Sequence, residues 1–462
     1  IKTGSSEIGN NLVSSHTGSL SGGDEIYNSL FEHLGIVRVS NPHEFLETLK
    51  FLCISGSVAG KKVAAFTCSG GGATMLADYA EKIDLKFNQP SNKVSNVLEK
   101  LLPLTATVSN PLDYTTPIWG QPEKTGPVFN TFFHDNYDAA ILVQDYLPPN
   151  INELNKFYLY DAKAFIKEAK LKNLPTIICS TVPENNDPDI SNFFVSQGVT
   201  PMQGLEEALN AINRSYKFYQ RHQDFLLGKV KVKKSIKSLG TKSSMLNEME
   251  SKSILNKIGL AIPNFFNEKN YTKNYQQTEE FSLKFPVCLK MLSREVQHKT
   301  DIGAIDLNIK NYQELLTSFE KIKKQVEQSK ENFSNNFLVE EMQPEPLGEL
   351  LVGIFHDLQF GYVMTLASGG VLANLIEDSV TILLPASIHE LDKSLGKLKI
   401  NKLFQGYRGK KEINRKLLLG NLKKLTDFAL DKSNNVQQIE INPLFVFPEK
   451  NIAVDGIIWK NE

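Results

Sequence analysis

A loop near the start of the chain contains the residue types that accept a phosphoryl group and stabilise it. Residues 14–24 read Ser-Ser-His-Thr-Gly-Ser-Leu-Ser-Gly-Gly-Asp, so His16 lies among small and hydroxyl-bearing residues just before a helix-like segment. Such a loop leaves the imidazole accessible as a nucleophile, and the helix start offers backbone N–H groups to the resulting anion. The same pattern also fits an ordinary surface histidine in a loop whose serines and glycines serve turn geometry.

A second candidate anion site follows the short apolar strand predicted over Val63–Cys68. The next residues are Ser69, Gly70, Gly71 and Gly72, followed by a helical stretch. Glycines between a strand and a helix allow the backbone to approach an anion closely, although a simple turn is equally compatible. Neither a Walker A motif nor a GxGxxG motif is present. The turn Asn110-Pro111-Leu112-Asp113, after a predicted strand Thr105–Ser109, could line the same crevice or be only a turn.

Three charged residues at predicted strand ends could contact a nucleotide. Lys290 ends the apolar strand Phe-Pro-Val-Cys-Leu-Lys, where its ammonium could meet a phosphate or simply extend into solvent. Glu340 and Glu341 end another predicted strand. Consecutive strand residues point to opposite faces, so at most one of the two carboxylates faces a given pocket.

Oxygen-bearing side chains near the C-terminus could hold a divalent cation. In Gln438-Ile439-Glu440-Ile441-Asn442-Pro443 the polar residues alternate, and Asp455 lies in a later predicted strand. An amide and a carboxylate oxygen on neighbouring strands suit Mg²⁺, although the outward face of a sheet has the same spacing. His298, in the polar segment 297–303, could be a second phosphoryl acceptor, a general base or part of a hairpin loop.

These candidates fall into regions that differ in pattern. Up to about residue 60, a Ser/Gly-rich loop precedes a helix with Ile26 and Leu30 on one face. Between 61 and 227, strands alternate with helices, which predicts a doubly wound parallel α/β sheet. Residues 228–244 are basic without interleaved aromatic residues, which favours an exposed linker over a nucleic-acid site. From 245 to 462, helices mix with paired strands, which predicts an α+β domain.

The composition of the chain excludes several functional classes. Its 51 Lys and Arg residues balance 52 Asp and Glu residues, so no bulk charge attracts nucleic acid or an anionic membrane. No apolar run approaches the ~18 residues of a membrane span. The 4 cysteines (Cys53, Cys68, Cys179 and Cys288) lie far apart within apolar runs and form no CxxC pair, which indicates buried, reduced thiols in the cytoplasm. Because the chain begins at Ile1, already close to the histidine loop, we expect an N-terminally incomplete polypeptide.

The order of these motifs resembles that of the NDP-forming acyl-CoA synthetases, relatives of succinyl-CoA synthetase. The resemblance runs nearly from end to end and is carried by the following segments: Lys-Thr-Gly-Ser-Ser-Glu-Ile-Gly (2–9), the His16 loop, Ser-Gly-Gly-Gly, Asn-Pro-Leu-Asp, Phe-Pro-Val-Cys-Leu-Lys, His-Lys-Thr-Asp-Ile-Gly (298–303), Gly-Tyr-Arg-Gly (406–409) and Glu-Ile-Asn-Pro-Leu (440–444). It implies the C-terminal part of a succinyl-CoA ligase-like domain over 1–60 and a second, flavodoxin-like domain of this type over 61–227. After the linker, it implies an ATP-grasp domain over 245–462.

The resemblance also implies a reaction: acid + CoA + ATP ⇌ acyl-CoA + ADP + phosphate, through an acyl phosphate and a phosphohistidine. His16 matches the phosphorylated histidine and His298 a second histidine that relays the phosphoryl group. The remaining matches are Ser69–Gly72 for binding the phosphate, Lys290 for a nucleotide phosphate, Glu341 for the adenine side, and Asn442 and Asp455 for Mg²⁺.

The family's CoA-binding domain has no counterpart in this sequence, so we expect CoA, the co-substrate, to bind outside the chain. The expected ligands are ATP or ADP, Mg²⁺ and a carboxylic acid, with no nucleic acid or membrane partner. We expect a homo-oligomer or a complex with the polypeptide that supplies CoA binding. The alternatives are a non-catalytic ATP-binding or scaffold subunit and the regulatory platform of a protein-lysine acetyltransferase, which needs an added acetyltransferase domain.

Overall fold

The computed structural model describes residues 1–2, 5–6, 8, 23–147, 151–229, 243–269, 283–293, 302–328, 336–369 and 378–461. His16 and His298 lie outside these described residues. The chain divides into two compact units, of which the first contains Phe31–Leu227 and the second contains Gly228–Glu462 together with Gly22–Leu30. Within the described ranges, no helix combines the length and the hydropathy of a membrane span.

The first half of the chain alternates helices with short strands. The helices are α1 (Asp24–Leu34), α2 (Pro42–Ile54), α3 (Gly70–Lys82), α4 (Asn92–Leu101), α5 (Pro122–Phe132), α6 (Asn155–Leu171), α7 (Pro188–Ser196) and α8 (Leu205–Leu226). The strands are β1 (Val63–Thr67), β2 (Leu112–Asp113), β3 (Ala139–Val143), β4 (Thr176–Ser180) and β5 (Thr200–Gln203).

These strands form one parallel sheet of the first unit. Its 5 strands lie in the order β2-β1-β3-β4-β5, and every pairing is parallel. This is the strand order of flavodoxin-like folds, in which helices cover both faces of the sheet. The structure therefore confirms the predicted doubly wound sheet.

The alternation of side chains along β1 shows how the sheet is buried on both faces. Ala64 and Phe66 pack into one apolar cluster, which contains residues of α4, α5 and α6. Val63 and Ala65 pack into the opposite cluster, which contains residues of α2, α3 and α8. Apolar side chains on both faces are typical of a central parallel strand.

The predicted strand Thr105–Ser109 is wrong, because the chain pairs with β1 only from Leu112. The side chain of Asn110 takes the place of a longer strand. Its Oδ1 atom accepts from the N–H of Ala65 at 3.1 Å, and its Nδ2 atom donates to the carbonyl of Val63 at 2.8 Å. The side-chain amide of Asn110 thus makes the hydrogen bonds to backbone groups at the edge of β1 that a neighbouring strand would otherwise make.

The second unit mixes helices with antiparallel strands. Its strands are β6 (Ser243–Met245), β7 (Phe265–Lys269), β8 (Val287–Met291), β9 (Ile305–Ile309), β10 (Asn336–Glu341), β11 (Gly348–Asp357), β12 (Gly361–Ser368), β13 (Ser379–Leu383), β14 (Val436–Val446), β15 (Asn451–Ala453) and β16 (Gly456–Asn461). Its helices are α9 (Glu248–Lys257), α10 (Tyr312–Gln328), α11 (Ile388–Leu395), α12 (Asn401–Phe404) and α13 (Arg415–Leu430).

Two antiparallel sheets organise this unit. One has 4 strands in the order β7-β10-β8-β9, and the other contains β13-β12-β11-β14-β16-β6 with β15 paired to β14. Leu350, Val352 and Ile354 of β11 face the main apolar cluster, which also contains residues of α11 and α13. The structure thus confirms the predicted α+β architecture. Ser243 and Ser244, which the sequence assigns to the linker, belong instead to β6, since they pair with β16.

Candidate functional site

The turn after β1 has the form of an anion-binding helix start. Helix α3 begins at Gly70, and the Ser69 hydroxyl accepts from the N–H of Gly72 at 3.4 Å. A Cβ atom on Gly72 would lie 3.0 Å from Thr67 Oγ1, so the turn packs closely against the end of β1. The Gly72 N–H is thus used by the cap, so an anion at this end of the sheet would be bound by the N–H groups of Gly70 and Gly71 in the first turn.

The motif Asn110–Asp113 has two different roles in the structure. Asp113 pairs in register with Thr67, and its Oδ2 atom lies 3.5 Å from the position of a Cβ on Gly70. Its carboxylate therefore lies next to the start of α3. Asn110 is 3% exposed and bonded to β1, so its side chain is structural and does not face the crevice.

A buried polar network supports the same end of the first unit's sheet. Asp161 accepts from the Gly120 N–H and the Thr125 hydroxyl, each at 2.9 Å, and from the Tyr114 hydroxyl at 3.3 Å. Burial raises the pKa of Asp161. Burial also raises the pKa of Cys68 to about 11, so this thiol, which precedes Ser69, is not a thiolate nucleophile at neutral pH.

In the second unit, Lys290 is buried among three acceptors. Its Nζ atom lies 2.6 Å from Glu248 Oε1 and 2.9 Å from Glu340 Oε2, and it donates to the carbonyl of Val454 at 3.1 Å. Burial alone would lower the pKa of Lys290, but Glu248 and Glu340 outweigh it and raise this pKa well above its usual value. Lys290 is therefore a buried, permanently charged ammonium. The sequence placed it at a strand end, whereas β8 continues to Met291.

A second lysine completes a closed arrangement of charges. Lys252 contacts Glu248 Oε1 at 2.9 Å and Glu340 Oε1. Each of the two lysines therefore contacts both carboxylates, and we call Glu248, Lys252, Lys290 and Glu340 the ionic ring. The side chains of the ring are at most 5% exposed, so water screens these contacts weakly.

Local structure explains how the ring assembles. Asn247 and Glu250 form a capping box that starts α9, and Glu248 and Lys252 then lie on one helix face, four residues apart. Lys290 and Glu340 come from the neighbouring strands β8 and β10. Sequence reasoning missed Glu248 and Lys252. The only signal was a Glu–Lys pair at i, i+4, which is usually exposed.

The candidate metal ligands lie beside Lys290. The Asn442 N–H donates to the carbonyl of Asp455 at 3.1 Å, and Val454 is the residue whose carbonyl accepts from Lys290. The structure thus brings Lys290, Asn442 and Asp455 together. Asp455 lies in the bend between β15 and β16, so its predicted position within a strand is wrong, because the chain turns at Val454 and Asp455.

The residues around this bend carry oxygen donors of the kind that Mg²⁺ prefers. Across the parts of the chain that the structure describes, no group of three or more His, Cys, Asp or Glu side chains could hold a metal. The side chains of Asn442 and Asp455 would offer an amide oxygen and a carboxylate, which are hard ligands. Mg²⁺ takes such ligands and completes its shell with water and phosphate oxygens.

Glu341 lies apart from the ionic ring. Its carboxylate accepts from the Lys284 N–H and from Asn264 Nδ2, each at 2.9 Å. These contacts, led by the Lys284 N–H, lower the pKa of Glu341. Glu340 contacts Lys290, and the neighbouring Glu341 belongs to the opposite face of β10. The structure therefore places these two carboxylates in separate environments, and a contact of Glu341 with adenine stays a prediction.

Comparison with known proteins identifies the class of both ends of the chain. Residues 237–459 match the model of the ATP-grasp domain, and residues 1–52 match that of the succinyl-CoA ligase-like flavodoxin domain. These two matches agree with the resemblance stated from the motifs, and the chain is similar to ADP-forming acyl-CoA ligases.

Two relatives carry names of this class, and one solved structure matches part of the chain. An ADP-forming acetate–CoA ligase of Methanocaldococcus jannaschii is 27% identical over 97% of this chain and 65% of its own length. The β subunit of the ADP-forming acetate–CoA ligase I of Pyrococcus furiosus is 28% identical, over 49% of this chain and 96% of the subunit. A structure of acetyl-coenzyme A synthetase 1 of Ca. Korarchaeum cryptofilum is 25% identical, with a TM-score of 0.42, and covers 47% of this chain and 94% of its own. The chain therefore spans 65% of the length of the Methanocaldococcus jannaschii relative, which is less than two thirds.

Proposed function

We propose that this chain contains the nucleotide-binding and phosphoryl-transfer part of an acid–CoA ligase that forms ADP. The complete reaction is acid + CoA + ATP ⇌ acyl-CoA + ADP + phosphate. The observation that carries the proposal is the position of the buried Lys290 ammonium beside the bend that contains Asp455, within the segment that matches ATP-grasp domains. Acetate–CoA ligase activity in a relative aligned over 97% of the chain supports the same reaction class.

At the nucleotide site, the residues of this chain bind and orient the phosphates. Lys290 acts as a point charge on a phosphate oxygen, and Asn442 with Asp455 would hold Mg²⁺. Bound Mg²⁺ neutralises charge on the phosphate oxygens. Glu341 would contact the adenine side of the nucleotide.

His16 is the proposed phosphoryl acceptor. An imidazole nitrogen forms a bond to the γ-phosphorus of ATP while the bond from that phosphorus to the β,γ-bridging oxygen breaks, and ADP leaves. The phosphoryl group then passes to the carboxylate of the acid, giving an acyl phosphate, and the CoA thiolate displaces phosphate. His298 would act as a relay for the phosphoryl group, and the N–H groups at Ser69–Gly72 would stabilise the phosphorylated histidine.

The remaining steps require a CoA site, which we place in another polypeptide or in sequence beyond this chain. A complex with a CoA-binding partner fits the naming of separate α and β subunits for the acetate–CoA ligase II of Pyrococcus furiosus. We place the protein in the cytoplasm, because all four cysteines have free thiols.

The phosphoryl-transfer proposal is tested by incubating the full chain with Mg²⁺ and ATP labelled at the γ-phosphate. We expect an acid-labile, alkali-stable label on the wild type and on His134→Ala, a matched control at an exposed histidine. The label should be lost in His16→Ala. Unchanged labelling of His16→Ala refutes the role of His16. Absence of labelling and of ATP–ADP exchange in the wild type would favour a non-catalytic subunit.

A further inference from the structure

The two lysines of the ionic ring have the same carboxylate partners but different access to a ligand. The Lys252 side chain is 0% exposed and contacts Glu248 and Glu340 inside the ring. The Lys290 side chain is 5% exposed and also donates to the carbonyl of Val454. Lys290 is therefore the lysine of the ring that contacts the 454–455 bend of the proposed nucleotide site, whereas the ion pairs of Lys252 are with the two carboxylates.

Lys290 cannot bind a phosphate oxygen without giving up part of its present contacts. An ammonium has three donors, and three acceptors already surround Nζ of Lys290: Glu248, Glu340 and the Val454 carbonyl. If these two carboxylates had no other cation, moving Lys290 toward a phosphate would leave both of them buried without a counter-ion, which is strongly unfavourable.

Lys252 changes this balance, because it contacts both carboxylates as well. When Lys290 turns toward a phosphate, Glu248 and Glu340 keep one buried ammonium between them. Before the nucleotide binds, the two ammonium groups and the two carboxylates make the ring neutral. Because each carboxylate is shared with Lys252, it holds Lys290 less tightly than a carboxylate paired with Lys290 alone would.

We infer that Lys252 is a positioning residue, which makes Lys290 available to a nucleotide phosphate by serving as the permanent counter-ion of Glu248 and Glu340. This inference rests on the proposed function, because it takes Lys290 as a nucleotide ligand. It adds a role for a residue that never contacts the nucleotide itself.

Two neutralising substitutions in the ring should change nucleotide affinity in opposite directions. In Lys252→Met, both carboxylates compete with the nucleotide phosphate for Lys290. The dissociation constant of Mg-ATP should therefore rise by about tenfold or more, where a factor of ten corresponds to about 1.4 kcal/mol. Glu248→Gln removes one competitor of the phosphate, so Mg-ATP should bind at least as tightly as in the wild type. The double variant Glu248→Gln/Lys252→Met restores neutrality, and its affinity should return to within about threefold of the wild type.

The measurement is isothermal titration calorimetry of Mg-ATP on the full chain, with the folded fraction of each variant checked by circular dichroism at the same temperature. Both single variants should be less stable than the wild type, so a purely structural role for Lys252 would weaken binding in both. The inference is overturned if Lys252→Met and Glu248→Gln lose similar amounts of Mg-ATP affinity. It is also overturned if Lys252→Met binds Mg-ATP as tightly as the wild type. If Lys252→Met does not fold, weakened binding in Glu248→Gln or in the double variant overturns it equally.

The same titration separates this inference from the proposed function. A wild-type chain that fails to bind Mg-ATP refutes the nucleotide site itself. A wild-type chain that binds Mg-ATP, without opposite effects in the two variants, refutes only the role of Lys252.

Discussion

Replacing Asn110 by alanine should destabilise the first unit, although Asn110 belongs to a motif that resembles a ligand-binding turn. The Asn110 side chain accepts from the Ala65 N–H at 3.1 Å and donates to the carbonyls of Val63 and Asn88 at 2.8 and 3.0 Å. It is 3% exposed, so water does not readily replace it. The Asn88 carbonyl keeps the Tyr137 hydroxyl as a donor at 3.4 Å, whereas the Ala65 N–H and the Val63 carbonyl are buried and would lose this partner. Two such groups cost about 1 kcal/mol each at least, so we expect a loss of about 2 kcal/mol or more.

The loss should be visible as a shift in thermal unfolding. For a unit of roughly 200 residues, 1 kcal/mol shifts Tm by about 2–4 °C, so Asn110→Ala should lower the Tm of the first unit by about 4–8 °C. Differential scanning calorimetry measures this shift. Asp113→Asn is the matched control, because Asn keeps the Oδ1 acceptor for the Thr115 N–H and the change should stay within about 0.5 kcal/mol. A Tm for Asn110→Ala within about 2 °C of the wild type, or an equal loss in Asp113→Asn, would refute the structural role of Asn110.

Two further predictions concern buried titratable groups. Burial lowers the pKa of His356, which is 7% exposed and whose two ring nitrogens lack hydrogen-bond partners among the described residues. Below the usual pKa of histidine, His356 takes up a proton in the unfolded chain but stays neutral in the folded chain. The free energy of unfolding should therefore fall as the pH drops from about 7 to 5. Urea unfolding at both pH values should show a smaller drop for His356→Phe, and identical drops would contradict the explanation. Among the cysteines, Cys53 is exposed, so its predicted burial is wrong. Cys179 and Cys288 are buried, and burial raises the pKa of both thiols, that of Cys288 to about 11. Ellman's reagent should therefore label Cys53 in the native protein and these two only after unfolding, and unchanged fast labelling in Cys53→Ser would contradict this order.

The sequence predicted the elements whose pattern is local. The apolar run Ala139–Val143 has the bounds of β3, because a central parallel strand needs apolar side chains on both faces. The strand, Ser-Gly-Gly-Gly turn and helix around Ser69 were also predictable from residue type and order. Together with the motif order, these local signals were sufficient for the fold class.

Long-range partners were not predictable in the same way. A lysine at the end of an apolar strand indicates an open ammonium, but Lys290 instead contacts Glu248, 42 positions earlier in the chain. The side chain of Asn110 likewise makes hydrogen bonds to β1 in place of a neighbouring strand. The strand propensity of Thr105–Ser109 does not reveal this contact. In both cases the tertiary partner of a polar group decides its role, and residue type alone does not name that partner.

The neighbouring carboxylates of β10 also make that strand sensitive to slippage. Side chains alternate along a strand, so a shift by one position would turn Glu341 toward Lys252 and move Glu340 to the side of Val339, which packs in an apolar cluster. The misaligned strand would then bury a carboxylate among hydrocarbon side chains, without the cations that now neutralise it. Charge and apolar packing therefore select the same alignment, and single-residue insertions or deletions within Asn336–Glu341 should be among the least tolerated in the chain.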